Sequence, residues 1–122
     1  MQTRSLGRNG PTVSALGLGC MGMSDFYGAH SDEESLATLD HAMACGITFL
    51  DTADVYGPYT NEQLLGRALR GRRDAAFIAT KFGFVRDPKN PAVRALDGRP
   101  AHACEACEAS LRRLNTTHID LF

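Results

Sequence analysis

The sequence predicts an α/β fold with a parallel sheet, because apolar strands and amphipathic helices alternate along the chain. Two apolar runs end directly at a charged residue, Asp51 in one case and Lys81 in the other. The strand–helix units repeat every 30 to 40 residues or so, roughly the length of a right-handed βαβ crossover. Two folds share this alternation, the doubly wound sheet and the closed (β/α)8 barrel.

The segment over residues 3–16 is predicted to form a β-hairpin. Asn9-Gly10 supplies a turn in which positive φ angles are tolerated, and Pro11 follows it. A short buried strand is then predicted to end at Leu18-Gly19-Cys20.

Three helices are predicted, because residues typical of helix starts and helix ends occur in pairs along the chain. Two helices are expected to begin with a capping box and the third with a proline in its first turn. Each is expected to end at a glycine or asparagine that accepts the left-handed conformation. The start signals are Ser31 with Glu34, Thr60 with Gln63, and Pro100, and the stop signals are Gly46, Gly71 and Asn115.

The remaining segments are two internal strands, a loop and a last strand. Residues 47–50 and 75–80 are predicted as buried strands, and residues 82–99 as a long loop rich in proline, glycine and charge. Residues 118–122 begin a fourth strand. Because a complete (β/α)8 barrel needs about 250 residues, we expect 122 residues to form about half of one.

Composition and charge exclude several classes of function. Apolar residues make up 43% of the chain and charged residues 22%, an ordinary globular composition, and the formal net charge is −1. A nucleic-acid binder would carry a basic excess, so no nucleic-acid partner is predicted. No targeting segment or membrane-spanning run is recognised, so we expect a cytoplasmic protein without a membrane partner.

Two short motifs match known patterns but are not assigned a function. Residues 17–22 match G-x-G-x-x-G, yet residues 23–30 separate them from the next helix start, which disfavours a Rossmann turn. Those glycines are better explained as a strand end that a ligand approaches closely. Cys104 and Cys107 form a C-x-x-C inside a predicted helix with no matching ligand pair, so no metal site is predicted.

Asp51, Tyr56 and Lys81 are the candidate catalytic group. In a parallel barrel, residues that directly follow strands lie at the C-terminal edge, where active sites form. An Asp51–Lys81 ion pair would satisfy two charges that are costly to bury alone. Tyr56 lies in the loop after Asp51. A nearby ammonium favours phenolate, so Lys81 would make the Tyr56 hydroxyl a better proton donor, while Asp51 holds Lys81.

At these residues the sequence resembles the aldo/keto reductase family. The resemblance is carried by residues 51–57 (DTADVYG), by Asn61-Glu62 and by residues 79–81, and it extends to residues 16–22 and 110–121. It covers essentially the whole chain and implies a (β/α)8 barrel closed at its base by the N-terminal hairpin.

The resemblance implies reduction of small-molecule aldehydes and ketones with NADPH and without a metal. Tyr56 would be the general acid, with Asp51 and Lys81 as its partners. The backbone at Gly19, Cys20 and Met21, with Asp51, would face the nicotinamide ribose. Cys20 is either a reactive thiol near a cofactor or an inert buried thiol, and the inert thiol is favoured.

The resemblance also implies what this chain lacks. The family's catalytic histidine follows the fourth strand, so residues 1–122 are expected to be the N-terminal half of the barrel domain, truncated in strand four. Phe26 and Tyr27 either line the substrate pocket or pack within their loop.

Two hypotheses remain as alternatives to an active reductase. One is a non-catalytic nucleotide-binding regulatory protein. The other is an inactive fragment that aggregates through open sheet edges. The particular substrate, the choice between NADPH and NADH, and the oligomeric state are left undecided.

Overall fold

The chain folds into a small parallel sheet with helices packed on it. One antiparallel hairpin precedes the sheet in the sequence, and a second lies between the last strand of the sheet and the last helix. The computed structural model describes residues 1–87 and 90–122. The strands are β1 (Thr3–Ser5), β2 (Thr12–Ser14), β3 (Gly17–Gly19), β4 (Phe49–Asp51), β5 (Phe77–Ala79), β6 (Phe84–Asp87) and β7 (Asn90–Leu96). The α-helices are α1 (Asp32–Ala44), α2 (Thr60–Ala68) and α3 (Pro100–Leu114).

The parallel sheet has the strand order β3-β4-β5. Gly19 pairs with Asp51, and Asp51 pairs with Ala79, so the carboxyl ends of the three strands lie in register. Of the predicted fourth strand, the structure shows one parallel bridge, between Ala79 and Leu121. The alternation of parallel strands with helices confirms the predicted α/β class.

The N-terminal hairpin forms as predicted, with β1 and β2 antiparallel. Its turn was predicted wrongly, because the positive φ falls at Gly7 and not at Asn9-Gly10. The Leu6 N–H donates to the Pro11 carbonyl at 2.9 Å. This contact folds the chain so tightly that a Cβ on Gly10 would lie 1.7 Å from the Leu6 oxygen. Gly10 is therefore needed for close approach and Gly7 for the left-handed angle.

The hairpin is attached to the start of the parallel sheet through a buried serine. Ser14 is 4% exposed, and its Oγ accepts the N–H groups of Thr48 and Phe49 at 3.0 and 3.1 Å. The hairpin thus covers the amino end of the strands and leaves the carboxyl end open.

Two of the three helices begin and end as predicted. Ser31 Oγ accepts the Glu34 N–H at 3.1 Å, and Gly46 follows α1 with φ of +83°. The first helical residue of α3 is Pro100, and Asn115 caps its carboxyl end in the left-handed conformation.

The predicted Thr60–Gln63 capping box of α2 does not form. Tyr59 occupies the cap position with φ of +70°, and no side chain caps the helix. Thr60 lies inside the helix, and its hydroxyl donates to the Gly57 carbonyl at 2.9 Å. The tight loop that carries Tyr56 therefore fixes the start of α2, in place of a capping side chain.

The prediction of a long loop over residues 82–99 was wrong. β6 and β7 form an antiparallel hairpin there, with a bulge between Arg86 and Asp87. Residues 88 and 89, which belong to the same predicted loop, lie outside the described residues. The prolines and glycines of this segment suggested a loop, whereas Phe84-Val85 are strand-forming residue types.

The core lies between the sheet and the helices. Its fully buried side chains include Leu39, Leu50, Leu64, Leu65 and Ile78. In the described part of the chain, no helix has both the length and the apolarity that crossing a bilayer requires.

α2 and α3 approach each other closely at Gly66. A Cβ there would lie 2.8 Å from the carbonyl oxygens of Arg113 and Leu114. These are backbone atoms that cannot rotate away, so Gly66→Ala should destabilise the fold by about 1–3 kcal/mol despite its better helix propensity. Urea unfolding of the purified protein would measure the change. Gln63→Ala, at an exposed position of the same helix, is the control and should change stability by less than about 0.5 kcal/mol. Equal stability of both variants would contradict the close packing.

Candidate active site

Asp51, Tyr56 and Lys81 meet at the carboxyl edge of the parallel sheet. Asp51 ends β4, and Lys81 follows β5 by two residues. The Lys81 ammonium donates to Asp51 Oδ1 at 2.8 Å and to the Thr52 carbonyl at 2.6 Å, and it lies 3.3 Å from the Tyr56 hydroxyl oxygen. The predicted ion pair is present, and Tyr56 lies on the other side of the same ammonium.

The surroundings of Lys81 keep it charged. Partial burial acts to lower the pKa of Lys81, but hydrogen bonds and charge from Asp51 and Tyr56 outweigh burial and raise that pKa. The folded protein thus holds the proton more tightly than the unfolded chain. The ion pair therefore stabilises the fold at neutral pH, and this contribution is lost as the pH rises above the ordinary lysine range.

Backbone hydrogen bonds hold the Tyr56 loop over the end of β5. The Asp54 N–H donates to the Lys81 carbonyl at 3.1 Å, and the Thr52 N–H donates to the Ala79 carbonyl at 2.9 Å. At the other end of the loop, the Tyr59 N–H donates a hydrogen bond to the Asp54 carbonyl at 2.9 Å. These contacts fix the loop that carries Tyr56 against the end of β5. The Tyr56 phenol and the Lys81 ammonium are therefore held in position relative to each other.

Gly19, Cys20 and Met21 lie beside Asp51 at the same edge. The Cys20 N–H donates to the Asp51 carbonyl at 2.8 Å, which extends the β3–β4 pairing by one residue. Gly19 is exposed, and no atom lies within 4 Å of the place where its Cβ would be. Met21 starts a short 3-10 turn. The strand end is therefore open to a ligand at Gly19.

Asn61 connects this turn to the Tyr56 loop, although no pattern in the sequence predicts a role of its own for this residue. Its side chain is fully buried. The amide nitrogen donates to the Cys20 carbonyl at 2.7 Å and to Ser24 Oγ at 2.8 Å, and the amide oxygen accepts the Thr52 hydroxyl at 2.7 Å. A buried amide in the first turn of α2 thus holds two neighbouring strand ends together.

Glu62 makes a second buried connection behind the site. It is fully buried, accepts the Thr80 hydroxyl at 2.6 Å, and pairs with Arg113 Nε at 2.6 Å. The Arg113 guanidinium also lies 4.9 Å from the centre of the Tyr59 ring. Because Thr80 precedes Lys81 directly, this network fixes the residue next to the ammonium.

A small apolar pocket opens beside the Tyr56 ring. Its volume is about 190 Å³, and its lining residues are Phe26, Val55, Tyr56, Phe84, Val85 and Arg86. Phe26 is among these lining residues, whereas Tyr27 is not and is 85% exposed. That Phe26 lines a substrate pocket stays a prediction. A larger groove of about 770 Å³ lies along α2 and includes none of Asp51, Tyr56 and Lys81.

In the residues that the structure describes, the cysteines form neither a disulfide nor part of a metal site. All four thiols are free. Cys104 is exposed on α3, and no cluster of three or more His, Cys, Asp or Glu side chains there could hold a metal ion.

Cys20 should resist alkylation in the folded protein. Burial, followed by the charge of Asp51, raises the pKa of the Cys20 thiol to about 12. The thiolate is the reactive form, so iodoacetamide should label the exposed Cys45 and Cys104 first. Peptide mass spectrometry after timed labelling measures the order. Labelling of Cys20 at the rate of Cys104 in native buffer would show that its thiol is accessible.

The fold and this cluster together define a βα-barrel protein whose polar residues gather at the carboxyl edge of its strands. The chain belongs to the aldo/keto reductase family, whose family model matches residues 15–122.

Solved structures of that family are similar to this chain over nearly its whole length. An aldo-keto reductase, AKR11C1 from Bacillus halodurans (holo form), is 38% identical with a TM-score of 0.86, over 98% of this chain and 38% of its own. An aldo-keto reductase of Pseudomonas aeruginosa is 35% identical with a TM-score of 0.83, over 96% of this chain and 44% of its own. The glycerol dehydrogenase AKR11B4 from Gluconobacter oxydans is 31% identical with a TM-score of 0.80, over 96% of this chain and 36% of its own. The chain thus spans about two fifths of the length of these relatives.

Proposed function

We propose that this protein reduces aldehydes and ketones to alcohols, with Tyr56 as the proton donor and NADPH as the reductant. The observation that carries the proposal is the position of the Lys81 ammonium, 3.3 Å from the Tyr56 hydroxyl and 2.8 Å from Asp51. Membership of the aldo/keto reductase family supports the same reaction class.

The strand edge fits a nicotinamide nucleotide. Gly19 leaves open space at the end of β3, and the Asp51 side chain beside it is 44% exposed. A ligand can therefore contact the backbone of Gly19 and Met21 and the Asp51 carboxylate. The predicted contact to the Cys20 backbone is disfavoured, because Cys20 is fully buried and its N–H and carbonyl are already bonded to Asp51 and Asn61. When bound, the reduced nicotinamide supplies the hydride that the carbonyl carbon accepts.

Tyr56 supplies the proton that the carbonyl oxygen needs. Tyr56 is one of the residues that line the apolar pocket. We place the reacting carbonyl group beside it, where the carbonyl oxygen accepts a hydrogen bond from the Tyr56 hydroxyl. As negative charge develops on that oxygen, the proton moves from Tyr56 to it and the alcohol forms. The neighbouring Lys81 cation stabilises the phenolate that remains.

Asp51 and Lys81 act on Tyr56 through charge and position. Lys81 is held by the Asp51 carboxylate and the Thr52 carbonyl, so its charge stays beside the phenol and does not swing into solvent. An ammonium fixed in advance stabilises developing negative charge without reorganising during the reaction.

A direct assay of the complete gene product tests the proposal. The loss of reduced nicotinamide absorbance is followed with benzaldehyde and with an aliphatic ketone, using NADPH and NADH in parallel. Substrate-dependent oxidation of NADPH supports the proposal. Tight binding of NADPH without turnover of any carbonyl compound would instead indicate a non-catalytic nucleotide-binding protein.

A further inference from the structure

The apolar pocket beside Tyr56 has room for a single ring and is partly open to solvent, since Phe26 and Phe84 are 53% and 62% exposed. A closed apolar cavity of about 150 Å³ accepts a benzene molecule, and this pocket has a volume of about 190 Å³. Phe26, Phe84 and the two valines present hydrocarbon to it. A single ring with one small substituent therefore matches the space in which a carbonyl group would meet Tyr56.

The charge in this pocket is already compensated. Arg86 is the cation among its described lining residues, and its Nη2 lies 3.0 Å from Asp25 Oδ2. The side chains of Arg86 and Asp25 are only 24% and 22% exposed, so water screens the pair weakly. The guanidinium is thus held by a partner within the protein.

Asp25 is itself fixed within the loop that follows β3. Its N–H donates to the Met21 carbonyl at 3.0 Å, and its Oδ1 accepts the Phe26 N–H at 3.2 Å. The Asp25–Arg86 pair therefore joins the β6–β7 hairpin to the loop after β3, and it holds the Phe26 backbone at the pocket.

We propose that Asp25 determines specificity, by occupying Arg86 so that the pocket accepts uncharged ring-sized carbonyl compounds and rejects those bearing a carboxylate. This inference rests on the proposed reductase function for the identity of the reacting group. A carboxylate bound beside Arg86 would find that guanidinium already paired with Asp25, and would gain no ion pair in return for the hydration that it gives up. A neutral group of the same shape gives up less hydration and needs no such partner.

Two unreactive probes of nearly equal shape, benzamide and benzoate, test the selection without requiring turnover. Dissociation constants are measured by ligand-observed NMR on the complete gene product. The wild-type protein should bind benzamide about tenfold more tightly than benzoate. Asp25→Asn frees Arg86 and should improve benzoate binding by about tenfold, the effect of one new charge-assisted contact, with benzamide changed less than about twofold.

Two further variants separate charge from loss of structure. Asp40→Asn removes the carboxylate of the exposed Asp40–Arg72 pair and should leave both constants unchanged. The double variant Asp25→Asn with Arg86→Gln should lose the gain in benzoate binding, because the freed cation is gone. Equal wild-type affinity for the two probes, binding of neither, or a gain that survives Arg86→Gln would overturn the proposal.

The same proteins, assayed with benzaldehyde and 4-carboxybenzaldehyde, separate the two proposals. Reduction of both aldehydes with equal kcat/KM would leave the reductase function standing and remove the role of Asp25. Selective binding of benzamide without reduction of any aldehyde would support the pocket and remove the reductase function.

Discussion

Tyr56→Phe in the complete protein should lower kcat for carbonyl reduction by a factor of about 10² to 10⁴, with the affinity for NADPH nearly unchanged. The substitution removes one oxygen atom and keeps the ring that lines the apolar pocket. Lys81 keeps Asp51 and the Thr52 carbonyl as partners, so the site stays assembled. The measurements are steady-state reduction of benzaldehyde and a titration of NADPH fluorescence.

Tyr27→Phe is the matched control for this variant. Tyr27 is also in a loop after a strand of the parallel sheet, but its side chain is 85% exposed and makes no contact with Lys81 among those that the structure describes. Its loss of a hydroxyl should change kcat by less than about twofold. Turnover by Tyr56→Phe at the control's rate would remove Tyr56 as the proton donor.

The meeting of Asp51 and Lys81 was predictable because it depends on topology. Each residue directly follows an apolar run, and parallel strands place their carboxyl ends at one edge. The Ser31 and Gly46 signals at the ends of α1 were predictable for a similar reason, because helix caps depend on local hydrogen bonds.

The partners of the buried polar residues were not predictable. Glu62 stands in the first turn of a helix, where a carboxylate usually faces solvent and favours the helix dipole. Its burial results from Arg113, which lies 51 residues further along the chain. Only the packing of α2 on α3 brings the two together, and no local pattern in the sequence encodes that pairing. The β6–β7 hairpin was missed because its segment carries turn-forming and strand-forming residues together.

Glu62→Ala should lower the free energy of unfolding by about 3–5 kcal/mol, because it leaves Arg113 without its charge partner inside the protein. Glu62 is fully buried and the Arg113 side chain is 16% exposed, so water replaces the lost carboxylate poorly. The Thr80 hydroxyl loses its acceptor as well. Urea unfolding of the purified protein measures the change. Glu33→Ala, an exposed glutamate in the first turn of α1, is the control and should cost less than about 1 kcal/mol.

A double-mutant cycle with Arg113→Met shows whether the unpaired charge is the cause. If it is, the losses caused by Glu62→Ala and Arg113→Met should add up to more than the loss of the double variant, with a coupling energy of about 1–3 kcal/mol. The cation–π contact between Arg113 and Tyr59 is lost in both proteins that carry Arg113→Met, so it cancels from the coupling. Strictly additive losses would mean that Glu62 stabilises the fold through its hydrogen bond with Thr80 and its packing, and that the charge of Arg113 makes no contribution through Glu62.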